Sequence, residues 1–390
     1  MPNPTIKPAI LLSPVETGYV AYDPATDTLH HLNPVAALIA ELCDGSRSPD
    51  EIVRLVGPLI PEGKAGEVDQ WIANALQAGL LIPSDGSAAG LREFSAAELY
   101  ELVGRLKEYG KMQTAYICAK RVVELDPQDW QAWYLLGDLC QYVGKREEAR
   151  TAFQNYFSAN PDDAEIEHLL VALRDDTPPV RASDRTIQQI YKGFARTFET
   201  RLVDDLKYQG PERLWEAIHA VVGDKTGLSM VDIGCGSGLA GVRLRPIAST
   251  MSGVDLSPEM LELARKREIY DRLENAEITE WLEKTPEQFD LITSCDCLIY
   301  FGDLHRITAA AAKRLKPGGA FAFSLERGNK SPFCLTDTGR YEHHPDHVRD
   351  IAAASGLTVA CINEAFLRYE YTDEVIGLYA VLQKENRAAA

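Results

Sequence analysis

The stretch Val231-Asp232-Ile233-Gly234-Cys235-Gly236-Ser237-Gly238 joins an apolar strand to a loop with glycine at every second position. Glycine lets a backbone turn sharply and come close to a ligand. In an open parallel sheet, ligands sit beyond the C-terminal strand ends. A dinucleotide fingerprint spaces its glycines GxGxxG, so that the third opens the helix beneath a pyrophosphate. Here the third glycine, Gly238, comes one residue early. Asp232, at the loop's entrance, repels a pyrophosphate and suits a cationic ligand. Beyond the loop the strand MSGVDL ends in Asp255, an acid placed to accept both hydroxyls of a ribose. The pattern asks for a nucleoside-like cofactor that carries positive charge.

Other residues offer acid–base chemistry. Asp296 follows the strand FDLITS, and Asp303 lies a few residues on. The run His343-His344-Pro345-Asp346-His347 reads either as a polar helix start or as a base or substrate contact. Neighbouring histidines point in different directions on any regular element, so no metal is assigned to it. Arg340 and Tyr341 flank the run, and Arg368 and Tyr369 precede the last strand. An arginine at a cleft suits a carboxylate or phosphate; on the surface it is only a solvated charge.

Three kinds of segment position these residues. The 390 residues carry a net charge of −18, which disfavours a nucleic-acid partner. No apolar run approaches transmembrane length, and the N-terminus lacks a full signal segment. The eight cysteines form no CxxC pair, which suggests reduced thiols and a cytoplasmic protein. Residues 1–85 read as short strands followed by helices, one starting at Asn33-Pro34 and one at the capping box Ser48–Glu51. Residues 86–94 form a linker by composition. Across residues 95–175 Gly110, Ala115 and Pro127 recur as Gly144, Ala149 and Pro161, a period of 34. Residues 176–184 read as a second linker. From 185 to 390 strands and helices alternate, which implies a mostly parallel, doubly wound sheet.

The C-terminal segment resembles the class I S-adenosylmethionine-dependent methyltransferases, and S-adenosylmethionine is the cofactor this implies. The resemblance rests on Asp232, Gly234, Gly236, Gly238 and Asp255, on NAEITEWL, on FDLITSCDCLIYFGDL and on the Pro317-Gly318-Gly319 turn. It implies cofactor contacts from Asp232, Gly234, Cys235, Gly236, Gly238, Asp255, Leu256, Glu277, the backbone of Ile278, and Ser294. Asp296, His343 and Tyr191 are the expected catalytic groups; Phe194 and Phe198 would cap the cofactor or form a core stripe.

The middle segment resembles tetratricopeptide repeats through Trp133, Leu136, Gly137, Ala149, Phe153 and Pro161, with a third partial helix at Ala164–Leu173. The front segment resembles the PqqD-like peptide-recognition domain through LHHLNPVAALIAELCDGSRSPDEIV and AGLLIP. The expected architecture is therefore multidomain: a small α+β, winged-helix-like N-terminal domain, an all-α repeat middle and a C-terminal α/β Rossmann-like methyltransferase.

The PqqD resemblance implies a leader peptide added as a strand at Thr28, Leu29, His30, His31 and Leu32, against a groove at Val35, Ile39 and Leu42. Arg340 and Tyr341 are further expected substrate contacts. On this reading the precursor peptide is the partner, the repeats are a spacer or a docking face for other biosynthetic enzymes, and neither nucleic acid nor membrane is engaged. The alternative is a methyltransferase for a small metabolite or carrier-bound acyl group, whose front end serves protein association.

Overall fold

The computed structural model describes residues 3–8, 10–15, 18–23, 26, 28–59, 65–84, 95–108, 110, 112–174, 177–194, 206–370 and 373–386. Phe198 and the expected linker 86–94 lie outside them, as does the side chain of Phe194. The chain divides into two compact units, Met1–Ala159 and Asn160–Ala390.

In the first unit, strands β1 (Pro4–Ile6) and β5 (Leu81–Pro83) pair antiparallel. Strands β2 (Leu11–Val15), β3 (Gly18–Asp23) and β4 (Thr28–Leu32) form a meander in the order β2-β3-β4. Helices Pro34–Leu42, Pro49–Val56 and Ala65–Gln77 pack against it. Their starts follow from local chemistry. Asn33 Oδ1 accepts from Ala36 N at 2.8 Å, and the Ser48 amide donates to Glu51 Oε2 at 2.8 Å, so orphan amide groups of both first turns are satisfied. The core joins Leu12, Ala21 and Leu32 of the sheet to Ile39, Ile52, Val68 and Ile72 of the helices. Helices Ala96–Glu108, Met112–Leu125, Trp130–Tyr142 and Arg146–Ala159 follow as two hairpins. A Cβ at Gly137 would lie 2.5 Å from the Phe153 ring, so the glycine is what lets the second pair close. Arg105 ties the first hairpin to β3, donating to Tyr22 Oη at 2.6 Å and lying over its ring.

The second unit is built on one large sheet. Strands β6 (Leu228–Ile233), β7 (Ala248–Asp255), β8 (Arg272–Asn275), β9 (Phe289–Ser294) and β10 (Leu315–Arg327) are parallel. Two long strands, β13 (Leu357–Glu370) and β14 (Asp373–Lys384), close it as an antiparallel hairpin, with β14 against β10. The order is β8-β7-β6-β9-β10-β14-β13, flanked at the end of β10 by the short strands β11 (Phe333–Leu335) and β12 (Tyr341–His343). The connections reverse direction between β6 and β9, which opens a crevice at their C-terminal ends. The β13–β14 ladder shifts register between Phe366 and Arg368. That bulge turns two consecutive side chains, Leu367 and Arg368, inward.

Two expectations about the middle of the chain are corrected. The expected linker 176–184 is stitched into the second unit: Gly302 N and Asp303 N donate to Val180 O, Ala182 N donates to Tyr300 O, and Tyr341 Oη donates to Pro179 O. Backbone groups paired in this way do not form a free tether. The helix Ala164–Leu173, expected to continue the repeats, lies in the second unit. His168 Nε2 is 2.9 Å from Gly339 O, and Gln189 spans Ala164 N and Asp163 Oδ1.

Candidate active site

The glycine loop sits at the reversal point. Gly234 N and Cys235 N donate to Val254 O, and Gly236 N donates to Asp255 Oδ2 at 2.8 Å. The loop is therefore laced to the end of β7 before any ligand arrives. Gly238 takes φ +88° and opens the helix Leu239–Leu244. At Gly234, φ is +69° and a Cβ would stand 2.2 Å from Cys297 Sγ; at Gly236, φ is +53° and no protein atom lies within 4 Å of that point. Gly234→Ala therefore combines a left-handed backbone penalty with overpacking, together about 2–5 kcal/mol, whereas Gly236→Ala carries the backbone penalty alone, about 1–2 kcal/mol. Thermal unfolding checks this. Gly234→Ala is expected to melt well below Gly236→Ala, and equal midpoints would refute the packing account.

Asp255 ends β7 with its carboxylate nearly enclosed. Oδ1 accepts from Ser257 N and Oδ2 from Gly236 N, both at 2.8 Å. Burial pushes its carboxyl up, and those amide donors pull against it. A carboxylate has about four acceptor positions, so two remain for a diol. Leu256 stands half-buried beside it.

Asp232 does not open onto the crevice. It is 1% exposed, with Oδ2 accepting from Tyr270 Oη at 2.8 Å and Oδ1 from Thr293 Oγ1 at 3.0 Å. Burial pushes its carboxyl up to about 6 against those two donors. Both carboxylate oxygens are thus turned to protein donors, and the expectation of direct contact with a ligand is corrected. Cys235 is buried as well, and burial pushes its thiol up.

Glu277 is also turned away. It caps the helix Ile278–Lys284, accepting from Glu280 N at 2.8 Å and Thr279 Oγ1 at 3.0 Å. Its expected role as an acceptor for a base is corrected to a structural one. Asn275, overlooked in the sequence, stands at the end of β8 opposite Asp255. Its Nδ2 is spent on Asp255 O and Leu256 O, which leaves Oδ1 as the open acceptor. Ile278 is the first residue of its helix, so its amide has no intrahelical partner. Ser294 ends β9 with its hydroxyl beside the Cys297 thiol. Ser237, also overlooked, is 1% exposed and its Oγ has no partner.

Beyond β9 a charged cluster gathers. Asp296 takes φ +55°, and its amide donates to Ser324 Oγ at 2.7 Å. Its Oδ1 is buried without a hydrogen bond, as is Nη1 of Arg368, 3.6 Å away. Arg368, 1% exposed, pairs through Nη2 with Glu326 and with Glu370, the latter at 3.0 Å. Arg340 pairs with Glu370 too. Four tyrosines, Tyr191, Tyr208, Tyr300 and Tyr379, lie within the field of Asp296, and Tyr191 Oη is 3.3 Å from Tyr300 Oη. The left-handed backbone at Asp296 and the unpartnered buried polar atoms beside it make this cluster the candidate for chemistry. In the sequence Arg368 and Glu326 were indistinguishable from surface charges; only the fold brings them beside Asp296.

Two expected residues are excluded from this cluster. His343 is fully buried, with Nε2 against Phe301 O and Nδ1 against His347 Nδ1. Burial and the neighbouring His347 push its imidazole down to about 3, so it has no nitrogen free to act as a base. Tyr341 is fully buried and donates to Pro179 O at 2.7 Å, which makes it a core pin and no substrate contact.

Residues 231–321 match the family described as "Methyltransferase domain". This part of the chain is a methyltransferase domain, and its cofactor is S-adenosylmethionine. Residues 18–81 match "Coenzyme PQQ synthesis protein D (PqqD)", so a PqqD domain stands at the N-terminus. The chain is 30% identical over 118 residues to the ubiquinone biosynthesis O-methyltransferase of Thiobacillus denitrificans, 29% of this chain and 50% of that protein. It is 31% identical over 110 residues to the same enzyme of Salmonella arizonae, 27% of this chain and 46% of that one. The chain thus spans about half the length of the curated relatives it matches. Two solved structures are similar. Magnesium protoporphyrin IX methyltransferase from Synechocystis with bound S-adenosylhomocysteine has TM-score 0.40 at 16% identity, over 52% of this chain and all of that one. The N-methyltransferase NodS from Bradyrhizobium japonicum has TM-score 0.40 at 20% identity, over 50% and 97%.

The methyltransferase domain fits its cofactor on its own geometry. The open space at Gly236, the orphaned Ser237 Oγ and the free acceptor positions of Asp255 and Asn275 line the ends of β6, β7 and β8. The orphaned Asp296 Oδ1 stands beyond β9, beside the same crevice.

Proposed function

We propose that the protein transfers a methyl group from S-adenosylmethionine to a polar heteroatom, a carboxylate or amine, of a ribosomally made precursor peptide. When bound, the cofactor supplies an activated methyl group on its sulfonium. The protein's own groups then position, dehydrate and deprotonate. Asp255 holds the ribose, Asn275 Oδ1 and the Ile278 amide address the base, and buried Asp232 favours the positive charge through the field. Asp296 Oδ1 receives the acceptor's proton or orients it. Arg368 and Arg340, held by Glu326 and Glu370, fix Asp296 and the acceptor's polar end, with Tyr191 and Tyr300 as walls. Among the described residues no helix is long and apolar enough to cross a membrane, and all eight cysteines are free; a cytoplasmic place in the cell is part of the proposal.

The single observation that carries the peptide reading is the PqqD domain on the same chain as the methyltransferase domain. Strand β4 supports it: it stands last in the order β2-β3-β4, paired with β3, an edge position of the kind used for strand addition. The groove beside it differs from the sequence expectation at one residue. Ile39 is 2% exposed and belongs to the core, whereas Val35 is 40% exposed and Leu38 and Leu42 are half-buried. The stripe left partly open is therefore Val35, Leu38 and Leu42, at helical spacing, with Leu38 and Leu42 also packed against the core. Tyr19 and Glu41 hydrogen-bond beside it. On this reading the helical hairpins are tetratricopeptide-like spacers, and tethering raises the local peptide concentration to about millimolar.

The test measures methyl transfer by the whole 390-residue chain to candidate precursor peptides, each made with and without its leader. For a peptide that is methylated, Val35→Asp with Leu42→Asp is expected to raise KM at least about tenfold while leaving kcat at saturation unchanged. Equal KM values for the variant and the parent protein would favour a small-metabolite substrate.

A further inference from the structure

The run His343–His347 diverges as neighbouring side chains must. His344 caps the helix Pro345–Ala354, its Nδ1 accepting from Asp346 N at 3.2 Å. His343 points at Phe301 O. His347 turns to another segment, the one that follows β9, and meets Asp303 and His305. One ligand-type atom from each of Asp303, His305 and His347 lies within 4.8 Å of the others.

Hydrogen bonding sets the ring protons. The carbonyl of Phe301 only accepts, so His343 Nε2 carries a proton and donates, at 2.9 Å. His343 Nδ1 is then bare and accepts from His347 Nδ1–H at 3.1 Å. His347 is left with a bare Nε2 on the ring edge away from His343. An imidazole with one bare nitrogen, whose other N–H is anchored by a chain ending on a carbonyl, has the support a metal-ligating histidine requires. His305 Nδ1 lies 2.7 Å from Asp303 Oδ1 with a proton between them. A metal ion on Nδ1 takes the place of that proton, and the ring's single proton shifts to the exposed Nε2. Asp303 and His305 are exposed and His347 is buried, so such a site is anchored on one side and open to a water ligand on the other.

We infer that Asp303, His305 and His347 form a binding site for a divalent transition-metal ion of the zinc or nickel class. Two imidazoles and a carboxylate favour such ions over magnesium and calcium, which take all-oxygen sets. A bound ion clamps the segment after β9 to the helix Pro345–Ala354. None of the three ligands belongs to the Asp296–Arg368 cluster, so the inference stands apart from the proposed substrate.

The test is calorimetric titration of the full-length protein, stripped with EDTA, with zinc chloride. One equivalent is expected to bind with a dissociation constant of about micromolar or below, and the melting temperature is expected to rise. The double variant Asp303→Ala/His305→Ala also removes the bond from the His305 amide to Asp303 Oδ1 at the helix start; it should melt slightly below the ion-free parent, gain no further stability from zinc, and bind zinc about 100-fold more weakly. His344→Ala, adjacent but outside the cluster, should bind like the parent. His343→Gln, which breaks the outer chain, should lose about 10- to 100-fold. Zinc binding unchanged in the double variant, no binding in the parent, or magnesium binding as tight as zinc overturns the inference.

Discussion

Asp255→Ala is expected to weaken S-adenosylmethionine binding about 100-fold, measured by calorimetry on the full-length protein. The carboxylate does two jobs at once. It holds the glycine loop by accepting from Gly236 N and Ser257 N, and its remaining acceptor positions face the crevice. Charge-assisted bonds of this kind contribute about 1.5–3 kcal/mol each, and about 2.7 kcal/mol corresponds to two orders of magnitude in affinity. Alanine removes both functions and leaves two amides without acceptors. Asp255→Asn keeps one carbonyl oxygen and loses the charge, so it should fall between the two, near tenfold. Circular dichroism controls for folding. Affinity for Asp255→Ala within threefold of the parent would remove Asp255 from the cofactor site.

Arg368→Ala is expected to have the largest effect on stability. The guanidinium is almost wholly buried among Glu326, Glu370 and Asp296. Removing it leaves three carboxylates facing one remaining arginine, Arg340. Breaking a buried ion pair from one side costs about 3–5 kcal/mol, which for a unit of this size lowers the melting temperature by about 6–20 °C. The pH dependence carries a signature. Burial pushes the Glu370 carboxyl up, but Arg340 and Arg368 outweigh it, so it lies below the ordinary carboxylate range. A carboxyl depressed in the folded state stabilises above its unfolded value, and that stability is lost as the pH falls through the folded value. Without Arg368 the carboxylates gain by protonation instead. The gap between parent and variant should therefore shrink as the pH drops from 7 toward 4. A gap that stays constant or widens would mean the network does not couple as the geometry indicates. Arg368→Met with Glu326→Met, which removes both partners, should recover part of the loss.

What could be read in the residues follows from how local the physics is. The glycine loop, the helix starts at Asn33 and Ser48, and the acid ending β7 are set by neighbours within a few positions, and the structure places them as expected. The fates of side chains with distant partners could not be read. Asp232 is closed off by Tyr270 and Thr293, 38 and 61 residues away. Glu277 faces its own helix because the cap was free to take, and Asn275, two residues earlier, holds the open position. His343 and Tyr341 looked polar and available, yet their strand lies against the end of β10 under the 177–183 segment. Arg368 is the clearest case. Nothing in its local sequence distinguishes a solvated arginine from one held by three carboxylates.

That arginine stands at the bulge between Phe366 and Arg368. A strand's side chains alternate, so a regular pleat would send Leu367 and Arg368 to opposite faces. The bulge lets one position of the ladder present two side chains inward, the apolar Leu367 to the core and the charged Arg368 to Glu326 and Asp296. Loss of Leu367 would leave Arg368 opposite Val375 and facing as before, so the deletion would take an apolar contact from the core without re-aiming the guanidinium. The core and the charged cluster can therefore vary separately at this point of the hairpin, although a single backbone turn serves both.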